Sequence, residues 1–194
     1  VQVGSFVHPE KVPQMADTDE LFRRLTAPGA ERKGHALYSG LVLNEKGLDR
    51  ALACGVEMVC LGVSASETHS RKNTGMGTAE ATERIVATAK KAVEAGRKVQ
   101  VSVQSAFGCG FEGFVSEEKV LDIARAYVDA GLLTVALADT AGHAYPEQVE
   151  RLAHSLDGRQ VPRVALPGPV DADQQDVATP LHDDDEVAVL PPVS

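Results

Sequence analysis

Apolar residues recur along this chain in two rhythms. Short runs, Val1–Ser5, His35–Leu43, Glu57–Val63, Val99–Val103, Leu133–Ala138 and Val161–Leu166, are apolar at most or alternate positions and read as strands. Glu57–Val63 (EMVCLGV) is apolar almost throughout, as a parallel strand covered on both faces should be. Between these runs the spacing changes to three and four, the signature of helices packed on one side. The expected inward stripes are Leu21, Phe22 and Leu25; Leu48, Ala51 and Leu52; Ile85, Ala89, Ala92 and Val93; Val120, Ile123, Ala124, Tyr127 and Val128; and Val149, Leu152, Ala153 and Leu156. Asp17 or Thr18, Asn44, Thr78 and Ser116 stand at expected N-caps, Pro146 suits a first helical position, and Gly55, Gly96, Gly131 and Gly158 mark stops. His8–Met15, Ser64–Gly77 and Gln104–Phe114 read as loops.

Strand–helix alternation predicts a parallel sheet with helical cover. Open doubly wound sheets and closed barrels both satisfy it. No GxGxxG follows the first strand, which argues against a dinucleotide site. Polar residues gather at the C-terminal ends of the strands: Ser5, Asn44, Ser64–Glu67, Gln104 with Ser105, and Asp139 with Thr140. In a barrel those ends form one face, where active sites are built, although strand–helix loops are polar in any such protein.

The residues carry a resemblance. VGSF followed by VPQMAD, then SASETHSRKN, FGCGFEGFVSEEKV and ALADTAGHAYPEQV, resemble in the same order the successive strand ends of 3-hydroxy-3-methylglutaryl-CoA (HMG-CoA) lyases. The resemblance runs from Val1 to about Leu166. It implies a partial (β/α)8 TIM barrel, about strands two to seven, over residues 1–166, followed by an irregular acidic tail over 167–194. It further implies acyl-CoA as substrate and cleavage of HMG-CoA to acetyl-CoA and acetoacetate, a step of leucine degradation and ketone-body metabolism. Position by position, Asp139 takes the catalytic role. Gln2, Ser5, Lys72, Asn73 and Thr140 take substrate-binding roles, with Lys72 suited to a CoA phosphate as a point charge.

The same matching shows departures. Gln2 stands where many of these lyases carry a glutamate, and Ser102 where an aromatic residue is common. Cys109 does not match the family's catalytic cysteine. The family's divalent metal, Mg2+ or Mn2+, is implied, but its ligand motifs have no match here: after RVAL the chain reads Pro167-Gly168-Pro169, and His182 lies in a charge run, HDDDE. No metal ligand is therefore assigned. Without a Lewis acid the developing alkoxide loses stabilisation, so the chain by itself is expected to be inactive. A non-catalytic fragment, with a frame change near Leu166, and a related aldolase or acyl-CoA synthase are the alternatives. Open barrel edges lead to an expected homo-oligomer.

Composition narrows the picture further. The 194 residues are short for a full barrel of ~250. Beginning at Val1 rather than Met, the chain is expected to lack its natural start. Net charge is −9, yet residues 167–194 hold seven acidic and no basic residues, leaving −2 for the rest. No basic patch argues for nucleic acid, and no apolar run approaches a membrane span. Three cysteines without a pairing pattern fit a reducing compartment, cytoplasmic or, in a eukaryote, the mitochondrial matrix. Cys54 and Cys60 read as core residues.

Overall fold

The computed structural model describes residues 1–30, 36–157 and 163–165. Six strands form one parallel sheet: β1 (Gln2–Ser5), β2 (Ser39–Leu41), β3 (Met58–Ser64), β4 (Lys98–Gln104), β5 (Thr134–Leu137) and β6 (Arg163–Ala165). Helices intervene: α1 (Thr18–Leu25), α2 (Glu45–Ala53), α3 (Glu67–Thr74), α4 (Thr78–Glu94), α5 (Glu117–Asp129) and α6 (Pro146–Asp157). Neighbours in the sheet follow chain order, β1 to β6, with no reversal. A doubly wound sheet reverses direction at a switch point, whereas a barrel wall does not. The fold is a partial α/β barrel.

Register divides the strand residues into two faces. Gly40 pairs with Val59, and Val59 with Val99. A Cβ on Gly40 would meet the Phe6 and Phe22 rings, 2.6 and 3.2 Å away, so this face looks at the helices. Leu61, Val63, Val101 and Val103 share it by alternation, and all are buried. Phe6 and Phe22, 5.2 Å apart, anchor α1 to this layer. Tyr127 of α5 is fully buried and donates its hydroxyl to the Ser102 carbonyl at 3.1 Å. The opposite, concave face carries Ser5, Leu41, Cys60, Gly62, Ser64, Gln100, Ser102 and Gln104. It is far more polar. Its groups satisfy one another in part: the Cys60 thiol reaches Gln100 Oε1 at 3.6 Å and Ser102 Oγ the Leu61 carbonyl at 3.2 Å.

Several expectations shift. The second strand is Ser39–Leu41 rather than the longer run; His35 lies outside the described residues. Leu21 and Val93 are exposed, 39% and 51%, because the buried stripes run through Thr18 and Phe22 and through Ala81, Ile85, Thr88, Ala89 and Ala92. Part of the expected loop Ser64–Gly77 is the helix α3. Ser66 caps it by accepting from the His69 amide at 3.1 Å, and Gly75 closes it in the left-handed region at φ 78°. Gly77, not Thr78, precedes α4. Its first-turn amide at Thr78 is capped from outside, by Glu67 of α3 at 3.0 Å. Cys54 and Cys60 are buried as expected. Of Val161–Leu166, residues 163–165 form β6; the remainder, and 167–194 with His182, lie outside the described residues.

Candidate active site

The C-terminal ends of β3, β4 and β5 are tied into one polar ridge. Ser64 Oγ donates to Ser105 Oγ at 3.2 Å, and the Ser66 amide donates to Ser64 Oγ at 3.1 Å. The Ser105 amide donates to Thr140 Oγ1 at 2.9 Å. Ser105 holds φ at 54°, the one non-glycine with positive φ among the described residues. That conformation costs about 1 kcal/mol for a residue with a Cβ. Its bonds to both neighbouring strand ends hold it there. Thr140 accepts from Ser105, so its hydroxyl proton remains available to a ligand.

Asp139 sits at the head of the same turn. Its two oxygens accept from the amides of His143 and Ala144, at 2.9 and 3.0 Å. The carboxylate therefore shapes the loop 139–144. Two of its roughly four lone-pair sites are used in this way. Backing this turn, Gly108 lies so close to the His143 ring that a Cβ would stand 2.8 Å from Nδ1.

A small cleft opens between α3 and the strand ends. Its walls include Leu43, Met76 and Ile85, with Ser64, Ser70, Asn73 and Gln104 as the polar lining. Ser70 is 2% exposed and its Oγ has no hydrogen-bond partner among the described residues. Ser5 Oγ on the concave face is likewise buried without one. A buried hydroxyl without a partner costs about 1–3 kcal/mol.

The structure thus brings Thr140, Asp139 and Asn73 to the C-terminal face, where Ser5 also ends its strand. Lys72 neighbours Asn73 on α3 but turns to the next loop, its Nζ 4.0 Å above the Phe111 ring. Gln2 stands apart. It opens β1 opposite Ser39, is exposed, and lies about 10 Å along the strand from Ser5. Sequence reasoning missed Ser70 and Phe111. The signal for Ser70 was Ser66 before Glu67, with Arg71 four residues on and Gly75 as a stop, which together spell a helix. For Phe111 there was no local signal.

Cys109 is 2% exposed. Burial would push its thiol up, but donation from the Ser66 hydroxyl and the Phe111 and Glu112 amides outweighs this and holds it below the usual thiol range. His69 is pushed down by burial and is neutral near pH 7. Among the described residues no three His, Cys, Asp or Glu side chains gather where they could hold a metal ion. The residues described do not fit the implied divalent cation. No helix among them is long and apolar enough to cross a membrane.

The HMGL-like family model matches residues 10–189, past Leu166 where the segment-by-segment likeness ends. The chain belongs to the HMGL-like family. The hydroxymethylglutaryl-CoA lyase YngG of Bacillus subtilis is 33% identical over 159 residues, 82% of this chain and 52% of that protein. The (R)-citramalyl-CoA lyase of Chloroflexus aurantiacus is 37% identical over 171 residues, 86% of this chain and 54% of that protein. This HMGL-like chain spans about half the length of the curated relatives it matches. Among solved structures, an HMG-CoA lyase from Acinetobacter baumannii, in complex with coenzyme A and 3-methylmalate, aligns with a TM-score of 0.74. It is 32% identical and covers 84% of this chain and 52% of that one. The B. subtilis HMG-CoA lyase aligns with a TM-score of 0.76 at 33% identity, over 84% and 53%.

Proposed function

We propose that this chain is the acyl-CoA-binding wall of a carbon–carbon lyase of the HMG-CoA type. By itself it binds the thioester without cleaving it. The observation that carries the reading is the hydrogen-bonded ridge Ser64–Ser105–Thr140 beside Asp139, at the strand ends of a chain in the HMGL-like family. In that role the Thr140 hydroxyl donates to a substrate oxygen. Asp139 accepts from the substrate hydroxyl with the lone pairs its loop leaves free. Ser5, Ser70 and Asn73 offer further polar contacts. Cleavage takes a proton from the 3-hydroxyl, breaks the neighbouring C–C bond and leaves an acyl-CoA enolate to be protonated. The divalent metal implied by the resemblance would polarise those oxygens. The described residues supply no donor set for it.

The reading assigns binding to residues 1–166 and gives the acidic stretch 167–194 no part in it. The higher identity to the citramalyl-CoA lyase, 37% against 33%, favours testing citramalyl-CoA beside HMG-CoA. The test is thermal stabilisation by each thioester, with acetoacetate or pyruvate release followed under Mg2+, Mn2+ and EDTA. Saturable stabilisation without turnover is expected. Asp139→Asn and Thr140→Val should each weaken binding about tenfold, the cost of one hydrogen bond to a charged or polar partner. Metal-dependent turnover by this chain would overturn the inactive part of the proposal, and absence of any thioester binding would overturn all of it.

A further inference from the structure

The helix α3 reads ETHSRKNT, with no Ala, Val, Leu, Ile, Met or Phe. A helix polar all round and eight residues long has little to hold it by itself. Ser70 is its one buried side chain. That burial gains little apolar area, and the hydroxyl has no hydrogen-bond partner among the described residues.

What holds α3 lies at its rims. Within the helix, Ser66 accepts from the His69 amide at 3.1 Å and Glu67 pairs with Arg71 at 2.7 Å. From outside, the Glu112 carboxylate accepts from the Thr68 amide at 2.6 Å, a first-turn donor that favours a negative partner. Glu112 belongs to a small hairpin closed by Cys109 and Gly113, which exchange backbone hydrogen bonds at 2.8 and 2.7 Å. On the same hairpin is Phe111. The Lys72 ammonium stands over its ring, 4.0 Å from the centroid, and the His69 ring stacks on it at 6.3 Å. At the far end of α3, Gly75, at φ 78°, and Gly77 flank Met76 before α4 begins.

α3 also walls the cleft. Ser70, Asn73 and Thr74 form one side, and Gly62, Ser64 and Gln104 at the strand ends form the other. The cavity between them is about 10 Å3, room for a water molecule and no more. An acyl chain enters only if this wall moves. We propose that α3 is a lid: it lifts as a unit from the strand ends about Gly75–Gly77, and the Glu112 carboxylate is its latch. The lid extends the acyl-CoA reading and rests on it only for what passes beneath. An element held by end caps, two rings and one exposed carboxylate opens far more often than the sheet, without global unfolding.

Native-state hydrogen exchange on the full chain tests the lid without a ligand. The Ser70 and Gly75 amides, bonded to the Ser66 and Arg71 carbonyls, should exchange at least about 100-fold faster than those of Ile85–Ala92 in α4. Glu112→Ala should speed α3 about tenfold further and leave α4 unchanged. Phe111→Ala, which removes the ring under His69 and Lys72, should speed α3 by less. Exchange of α3 at the rate of α4 would overturn the lid. Unchanged α3 exchange in Glu112→Ala would overturn the latch. HMG-CoA should slow α3 exchange in the unaltered chain, and bound HMG-CoA that leaves it unchanged would overturn the lid as well. No binding of HMG-CoA would overturn the acyl-CoA reading, while the ligand-free exchange still decides whether α3 opens.

Discussion

On β3 and β4 the side turned to the helices and the side turned inward are built from different chemistry. Outward stand Val59, Leu61, Val63, Val101 and Val103, all at most 2% exposed. Inward stand Cys60, Gly62, Ser64, Gln100, Ser102 and Gln104, a row of small and amide side chains. Outward residues are shielded from water by α4 and α5 and gain from apolar burial, roughly 25 cal/mol per Å2. Inward residues meet one another across the concave wall, where hydrogen bonds between neighbours replace those to water. The contrast teaches that the strands serve two purposes at once. One face makes the fold cohere, and the other carries polar groups up to the ridge at the strand ends.

Substitutions on the two faces should therefore differ in size. The largest loss is expected for Leu61→Ala on the outward face, about 2–5 kcal/mol by denaturant titration, because the helices cannot close on the cavity. A loss under 1 kcal/mol would mean that the helix layer is loosely packed. Gly62→Ala on the inward face should cost less, about 1–3 kcal/mol. Its Cβ would stand 2.2 Å from Ser102 Oγ, which is able to rotate away, and 3.2 Å from the Ser102 carbonyl, which is not. An unchanged melting temperature would show that the concave face has room to spare.

A pH experiment probes the helix layer from its polar rim. Asp19 of α1 pairs with Arg50 of α2, which also donates to the Val7 carbonyl at 2.7 Å. Burial would raise the Asp19 carboxyl, but the hydrogen bonds and charge of Arg50 prevail and lower it. A lowered folded-state pKa means the unfolded chain binds more protons, so this contribution is present above the ordinary carboxylate value, about 3.9, and is lost as pH falls below it. The melting-temperature gap between the unaltered chain and Asp19→Asn should narrow as pH falls from about 5 toward 2–3. A gap that stays constant would show that the pair does not titrate with folding. The smallest effect is expected for Tyr127→Phe, about 1 kcal/mol, since the bond through the wall to the Ser102 carbonyl is removed and the ring packing is kept.

Much of this architecture was legible in the chain, and the reasons are local. The run EMVCLGV reads as a covered strand because every position but the first is apolar. Asn44 reads as a cap because its side chain reaches the Gly47 amide three residues on, and the structure has that bond at 2.9 Å. What escaped was whatever joins segments distant in sequence. Ser105 looks like any loop serine until Thr140, thirty-five residues later, takes its amide. Thr78 looks like a cap until Glu67 arrives from another helix to do that work.

Periodicity and short-range chemistry determined the strands, most helices and the polar character of their C-terminal ends, because those depend on neighbours a few residues away. Periodicity left open sheet and barrel wall both possible; the family resemblance implied the barrel, and the order of the strands bears it out. Sequence placed Asp139, Thr140 and Asn73 at strand ends one by one. Packing decided that Asp139 spends two oxygens on its own loop, that Lys72 faces Phe111 instead of the cleft, and that Ser70 is buried with its hydroxyl unpaired. Those outcomes turn on distances between groups far apart in the chain, and no local pattern encodes them.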